Sequence, residues 1–296
     1  MSTSMWMTEP GRFQAVGVPP GRYQLIARWT EQAPRGAGAT GPGQVSTSQW
    51  YAQEQIDVSG VDLFGINLAF APPITVSGRV VFDGAPPGGD AQIQVRLDSA
   101  GRTPTGSFAR SIKPTDGGEF SITNVTPGRY RLNAFVTVPN PGAVVPGAGP
   151  PPWQVRSAAI DGRDAFETPF EVVAGRTPSP AVVTLTTRLP QLSATITDKA
   201  GKSVPNMVFV LFSASKEHWT GNTSRRVRSI LRPNDEGVYQ FTSMLPGEYL
   251  LVVLNDLEPS DLNDPSFLEL LIPAAIRITL AEGDKKVQNL RIAGGS

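Results

Sequence analysis

Hydrophobic and polar residues alternate in short stretches along most of this chain. In the two clearest examples the apolar positions recur every second residue: Tyr23, Leu25 and Ala27, and then Tyr130, Leu132 and Ala134. A period of two places these side chains on one side of an extended backbone. The alternation therefore predicts β-strands with one buried and one exposed face.

A signature accompanies these strands three times. Each copy has a glycine, an aromatic residue two positions later, and then Pro-Gly with a tyrosine two positions after that second glycine. The copies begin at Gly11, Gly118 and Gly237 and end at Tyr23, Tyr130 and Tyr249. Such wide spacing indicates tandem copies of one domain, because solenoid repeats have periods of only about 20–50 residues. The Pro-Gly pair is typical of the centre of a type II turn.

Further alternating segments, separated by Gly/Pro-rich turns, predict an all-β fold of tandem antiparallel β-sandwiches. We expect three units, at residues 1–71, 72–188 and 189–296. The last two are predicted to be complete sandwiches. Only ten residues precede the signature in the first unit, so it is predicted to be the C-terminal part of an incomplete sandwich whose upstream region is missing. Gly/Pro-rich segments at 31–49 and 139–152 predict mobile loops.

One short helix is predicted in the third unit. Asp264 precedes Pro265, and this pair starts helices because Asp caps free backbone N–H groups and Pro fits the first turn. We expect the helix near residues 264–271. The strand Leu250 to Leu254 is apolar on both faces, and the helix could cover its second face.

Composition excludes several classes of function. Lys and Arg number 26, as do Asp and Glu. This balance argues against a nucleic-acid partner, which requires a basic excess or stripe. The chain has no cysteine, so disulfides and thiolate chemistry are excluded. No apolar run is long enough for a transmembrane segment, and the first ten residues lack the basic and apolar parts of a signal peptide.

Local motifs favour structural interpretations over chemical ones. Gly36 to Gly41 matches a dinucleotide-binding pattern, but Pro42 follows it, so no helix is available to hold a pyrophosphate. His218 is the only histidine, and it is accompanied by no Gly-x-Ser-x-Gly elbow. Asp-Gly pairs such as Asp83-Gly84 lack the spacing of a calcium-binding loop and indicate turns. We predict no catalytic residue, metal or cofactor.

The Gly-x-aromatic motif, the Pro-Gly-x-Tyr corner and an opening strand such as Val76 to Val80 resemble the carboxypeptidase regulatory-like domain. This is a transthyretin-like (prealbumin-like) β-sandwich found in tandem in bacterial envelope proteins. The resemblance covers nearly the whole chain and implies an extracytoplasmic location: periplasmic, cell-surface or secreted. In the zinc carboxypeptidases that give the family its name, this domain carries no zinc ligands, so no active-site residue carries over.

The sequence thus predicts a non-catalytic structural or interaction module of a bacterial cell-surface or periplasmic protein, which spaces and presents loops to a protein or polysaccharide partner. One alternative is a carbohydrate-binding module that uses loop aromatics, and another is an accessory domain of a larger hydrolase. The candidate contact residues lie in or beside the predicted loops: Trp219, Asn222, Arg225, Arg226 and Trp153. Trp153 occupies the same slot as Trp50 in the preceding unit, which also fits a structural anchor.

Overall fold

The computed structural model describes most of the chain, in these stretches: residues 6–9, 11–32, 47–88, 91–100, 109–137, 153–204, 206–219, 225–258 and 260–291. The predicted mobile loop at 139–152 lies outside them, as do residues 33–46 of the predicted loop at 31–49. The two ends of that latter loop belong to strands instead.

The N-terminal part forms two antiparallel pairs: β1 (Trp6–Glu9) with β2 (Arg12–Gln14), and β3 (Gly21–Gln32) with β4 (Thr47–Val58). Within the described residues these strands form two separate two-stranded sheets and not a sandwich. Tyr51 on β4 is buried and joins the ribbon to the next segment through two backbone hydrogen bonds with Ala71, of 3.2 and 2.8 Å.

The middle part is a sandwich of two sheets. Its strands are β5 (Ile74–Asp83), β6 (Gln92–Ser99), β7 (Ala109–Ile112), β8 (Glu119–Val125), β9 (Gly128–Thr137), β10 (Gln154–Ile160), β11 (Arg163–Asp164), β12 (Phe170–Val172) and β13 (Ala181–Thr186). One sheet has the order β11-β10-β13-β5-β8, and the other has the order β12-β9-β6-β7. The core between them contains Tyr130, Leu132 and Ala134, the inward positions that the alternation predicted, together with Phe120 and Ile122 of β8.

The last part is a second sandwich of the same plan. Its strands are β14 (Gln191–Thr197), β15 (Val208–Ser213), β16 (Val227–Ile230), β17 (Tyr239–Phe241), β18 (Gly247–Leu254), β19 (Ile276–Leu280) and β20 (Lys285–Arg291). The sheets have the orders β17-β14-β20 and β16-β15-β18-β19. These correspond to β8-β5-β13 and β7-β6-β9-β12 in the middle sandwich. The tandem-sandwich prediction is confirmed for these two units.

Each sandwich contains one parallel strand pair, although most pairs are antiparallel as predicted. In the middle sandwich β5 lies beside β13, and in the last one β14 lies beside β20. In both cases these are the first and last strands of the sandwich. Parallel neighbours cannot be joined by a tight turn and need a long crossover, which the rest of each sandwich provides.

The repeated signature folds into the same corner three times. The tyrosine hydroxyl donates to the carbonyl four residues earlier, from Tyr23 to Pro19 (2.8 Å), Tyr130 to Thr126 (2.8 Å) and Tyr249 to Leu245 (2.7 Å). The glycine before each tyrosine is not the centre of a type II turn, where φ would be about +80°. At Gly128 φ is 156°, because this residue begins β9 beneath the folded-back ring of Tyr130.

The short helix α1 (Pro265–Leu271) begins as predicted. Asp264 is the N-cap, and its Oδ1 accepts a hydrogen bond of 2.9 Å from the backbone N–H of Ser266. In chain order the helix follows β18 as β10 follows β9 in the middle sandwich. Its Leu268 and Leu271 pack on the outer face of β15 and β18, where a second apolar cluster is formed with Val208, Val210, Phe212, Leu250 and Val252.

We predict that Gly118→Ala lowers the free energy of unfolding by about 2 kcal/mol more than Gly162→Ala does. Alanine is strained by the positive φ at both positions, but only at Gly118 does its Cβ also clash with a neighbouring backbone atom. Both glycines have positive φ, of +81° and +74°. A Cβ at Gly118 would lie 2.7 Å from the carbonyl oxygen of Val80, whereas a Cβ at Gly162 would meet nothing within 4 Å. Urea denaturation followed by circular dichroism measures the difference, and equal losses would show that the contact with Val80 is unimportant.

We predict that Leu268→Ala destabilises the last sandwich by about 2–5 kcal/mol, the usual cost of a cavity left by a buried leucine. Leu268 is fully buried against β15 and β18, whereas Leu270 in the same helix is 77% exposed. Leu270→Ala is therefore the matched control and should change stability by less than about 0.5 kcal/mol. Similar losses for the two variants in urea denaturation would contradict a role for α1 as the cover of this face.

Candidate functional site

The segment between the two complete sandwiches is bonded to the last sandwich. The carbonyls of Arg188 and Pro190 accept hydrogen bonds from the backbone N–H groups of Gly283 (2.5 Å) and Met244 (3.2 Å). Leu189 is buried in the apolar core of the middle sandwich, and Leu245 of the last sandwich belongs to the same core. The two sandwiches therefore share apolar contacts as well as a bonded linker.

A two-point ion pair crosses this junction. Arg226 donates to both carboxylate oxygens of Glu167, from Nε to Oε1 and from Nη2 to Oε2 at 3.0 Å. Its Nη1 donates to the carbonyl of Pro246 (2.9 Å) and to the hydroxyl of Tyr249 (3.3 Å). Burial alone would lower the pKa of Arg226, but the hydrogen bonds to Glu167 and Tyr249 raise it overall. Arginine suits this position because its planar fork matches a carboxylate.

Glu167 is held in place by the segment on which it lies. The carboxylate of Asp164 accepts hydrogen bonds from the N–H groups of Ala158 (2.9 Å) and Phe166 (3.0 Å). Ala165 donates to the carbonyl of Ala158 in one sheet and accepts from Leu132 in the other. The segment thus ties both sheets of the middle sandwich together, so Glu167 is presented to Arg226 by a fixed backbone.

Arg225 crosses the junction beside Arg226. Its guanidinium carbon lies 4.6 Å from the ring centroid of Phe166, a cation–π contact. Its nitrogens donate to neutral acceptors at long distances, namely the carbonyls of Ser243 (3.3 Å) and Val155 (3.5 Å) and the side chain of Gln154 (3.5 Å). Burial, followed by repulsion from Arg228, lowers the pKa of Arg225. The charge of Arg225 is therefore only weakly compensated.

A second group of charges lies elsewhere on the junction. Arg156 bridges Asp83 (3.5 Å) and Glu282 (3.2 Å), and Arg188 lies 2.8 Å from Glu282. A hydrogen bond with Glu282 is the main cause that lowers the pKa of Asp83, and Thr186 and the two arginines add to it. These side chains are partly exposed, so the group contributes less than the Glu167–Arg226 pair.

A cleft of about 480 Å³ lies between the two sandwiches. Its floor is the outer face of β6 and β9, and its walls are the segment around Glu167 and the loop that follows β15. The lining residues are Arg96, Asp98, Ser99, Arg129, Arg131, Asn133, Phe166, Glu167, Thr168, Pro169, Glu217, His218 and Arg225. The cleft is therefore polar and rich in arginine, and Phe166 is the one phenylalanine among these described lining residues.

Ser213, His218 and Glu217 lie close together but do not form a catalytic triad. The Oγ of Ser213 is 3.1 Å from Nδ1 of His218, and Nε2 of the same ring is 3.7 Å from Glu217. Ser213 is only 2% exposed, and its Oγ already accepts from the N–H of Ser215 at 3.2 Å. A nucleophile must reach its substrate, and this hydroxyl cannot.

The structure separates the sequence-predicted contact residues. Trp219 is buried at 1% exposure, its Nε1 donates to the carbonyl of Ser213 (2.7 Å), and its ring meets Phe212 edge-on. Trp219 therefore belongs to the apolar cluster under α1 and offers no face to a ligand, which corrects its place among the contact residues. Trp153 is half-buried and packs edge-on against Phe82, with ring centroids 5.0 Å apart.

Two of the remaining predicted residues, Arg225 and Arg226, lie at the junction. Arg225 lines the cleft, and Arg226 anchors the wall behind it. Asn222 lies outside the described residues. Sequence reasoning missed Glu167 and the arginines of β9, because nothing in the sequence indicated that the outer face of a middle-unit strand would face the last unit.

A protein-family model matches part of the chain. The model of the second β-sandwich domain of the BOS complex subunit NOMO1-like family matches residues 74–137, which is less than half of the chain. This match supports the β-sandwich fold of the middle unit. A comparison with curated proteins found no match to this sequence.

Solved structures show distant similarity. The Bacillus anthracis TIE protein is 11% identical with a TM-score of 0.24, and the match covers 95% of this chain but only 44% of that protein. A streptococcal ancillary pilin is 13% identical with a TM-score of 0.28, covering 99% and 82% of the two chains. The minor pilin GBS52 of Streptococcus agalactiae is 10% identical with a TM-score of 0.28, covering 76% and 98%. Similarities this low say nothing about the function of this chain.

Two kinds of site are not found in the described parts of the chain. No group of three or more His, Asp or Glu side chains there is arranged to hold a metal ion. No helix among those residues has the length and apolar character needed to cross a membrane.

We predict that Glu167→Gln lowers the free energy of unfolding by about 1–3 kcal/mol, because the largely buried Arg226 loses its carboxylate partner. Glu248→Gln is the matched control, since it breaks the exposed pair with Arg277 (2.6 Å). That loss should be below about 1 kcal/mol. Calorimetric unfolding of the whole chain measures both, and equal losses would contradict a stabilising role for the junction pair.

Proposed function

We propose that this chain is a non-catalytic structural module that holds β-sandwiches in a fixed end-to-end series within a cell-envelope protein. The observation that carries the proposal is the parallel pairing of first and last strands, β5 with β13 and β14 with β20. Because these neighbours run in the same direction, the chain enters each sandwich at one end and leaves it at the other. Successive sandwiches therefore continue the series and do not fold back on one another.

The junction supports the same proposal. A flexible connection would leave a linker with few contacts, as is usual between independent domains. Here the linker residues Arg188 to Gln191 are hydrogen-bonded to the last sandwich, and Glu167 and Arg226 form a two-point ion pair across the boundary. These contacts favour a fixed spacing of whatever the two ends of the series carry.

The location and the family rest on sequence features. The carboxypeptidase regulatory-like assignment and the extracytoplasmic location follow from the resemblance of the repeated signature. The proposed unit boundaries at 71/72 and 188/189 remain those predicted from the repeats. The alternative of sugar binding through loop aromatics is less favoured, because Trp219 is packed in an apolar cluster.

We predict that the two complete sandwiches keep one relative arrangement in solution. The chain has no cysteine, so spin labels can be placed at Ser121→Cys and Gln240→Cys, exposed and equivalent positions of the two units. Electron–electron double resonance should give one narrow distance distribution. Adding Glu167→Gln should broaden it, because a contact across the junction is weakened.

A label pair inside the middle sandwich, Ser121→Cys with Gln94→Cys, gives the width expected for a rigid body. An inter-sandwich distribution much broader than this control, without any change at Glu167, would show two independently moving domains and would overturn the spacer proposal.

A further inference from the structure

We propose that the cleft between the two sandwiches binds an acidic sugar, of one or two rings and bearing a carboxylate. This inference goes beyond the spacer function. It rests on the charge of the cleft wall, on the volume of the cleft and on the type of surface that forms its floor.

The wall carries an excess of positive charge. Among the described residues, four arginines and three carboxylates line it. Asp98 is 2.5 Å from Arg96, Glu167 is paired with Arg226, and Glu217 lies beside the hydroxyl of Ser215 and the ring of His218. Arg226 does not line the cleft and neutralises Glu167 from behind. With Arg226 counted against Glu167, the four arginines that line the cleft outnumber the two other carboxylates, Asp98 and Glu217, so the wall carries a net positive charge.

Three of these arginines, Arg129, Arg131 and Arg225, are arranged around one space. Arg129 and Arg131 are two positions apart on β9, so they project from the same face of the sheet. Glu171 is opposite Arg129 on β12, yet no described carboxylate forms an ion pair with Arg129 within 4 Å. Arg225 approaches from the last sandwich, and within the described parts of the chain its hydrogen bonds go to neutral acceptors.

The arrangement disfavours the charged form of two of these arginines. Burial, and then repulsion from Arg129, lowers the pKa of Arg131. Burial and repulsion from Arg228 lower the pKa of Arg225. A carboxylate placed between β9 and Arg225 would stabilise both guanidinium groups through charge-assisted hydrogen bonds.

The volume and the floor favour a sugar over a protein segment. The cleft of about 480 Å³ falls in the range of small-ligand sites, roughly 300–1,000 Å³. The floor strand β9 is paired on both edges, with β12 and β6, so no strand edge is free for an extended peptide. Phe166, the one phenylalanine among the described wall residues, is covered by Arg225, so its ring offers no open pocket for an apolar peptide anchor.

Neutral polar side chains in the cleft suit the hydroxyl groups of a sugar. Ser99, Asn133 and Thr168 line the cleft beside the arginines. Their hydroxyl and amide groups both donate and accept hydrogen bonds, as do the hydroxyl groups of a sugar ring. The arginines would bind the carboxylate, and these side chains would bind the rest of the ring.

The test is isothermal titration calorimetry of the whole chain with digalacturonate, and with maltose as a neutral disaccharide of similar size. We expect saturable binding of digalacturonate that weakens as salt is added, because the contact is ionic, and no binding of maltose. Arg129→Gln should weaken binding roughly tenfold or more, as expected for the loss of a charge-assisted contact. Arg163→Gln, an exposed arginine of the same sandwich outside the cleft, should leave binding unchanged.

Other outcomes would overturn the inference. Absence of binding, or equal binding of maltose, would refute the assignment of an acidic sugar. Equal weakening by Arg163→Gln would indicate general surface charge. Inorganic sulfate or tetra-aspartate binding as tightly as digalacturonate would show that the cleft recognises charge alone or an acidic peptide. The spin-label distances are measured without ligand, so failure of the spacer proposal and failure of this one are distinguishable.

Discussion

The hydrogen bond from the corner tyrosine to the carbonyl four residues earlier is the contact on which much of this structure depends. It fixes the entry of the chain into the strand that follows the corner in all three copies of the signature, and in the two sandwiches that strand is an interior strand of its sheet. In the last sandwich the corner also binds an arginine side chain. Pro246 and Tyr249 also accept hydrogen bonds from Arg226, and Gly247 has no side chain to obstruct that arginine. The corner thereby positions the residue that joins the two sandwiches through Glu167.

The equivalent outer faces of the two sandwiches differ in polarity and in what covers them. The outer face of β15 and β18 is apolar and is covered by α1, whereas the outer face of β6 and β9 is polar and forms the floor of the cleft. The side chains on these faces decide the difference, since the strand order is the same. In chain order α1 follows β18 as β10 follows β9, but α1 packs on the outer face of the sheet and does not extend the other sheet as β10 does. The need to bury an apolar face accounts for this departure from the repeat.

The sequence predicted what depends on neighbouring residues. Alternation located the strands, and the Asp264-Pro265 pair located the helix, because both signals act within a few positions. The Glu167–Arg226 pair joins residues 59 positions apart, and no local pattern indicates such a partner. Trp219 shows the same limit, since a polar stretch of sequence surrounds a side chain that folds back into an apolar cluster. The parallel pairing of first and last strands was also missed, because it depends on the whole chain path between them.

That parallel pairing has a mechanical consequence. If the two ends of the chain are pulled apart, the force reaches each sandwich through its first and last strands, which lie side by side along Gly78–Asp83 and Ala181–Thr186 in the middle unit. The load then acts along the strands and must shear all of their hydrogen bonds together, whereas a hairpin pulled at its open end would break them one after another. Resistance to tension would thus be set by the rate of unfolding under force and not by equilibrium stability.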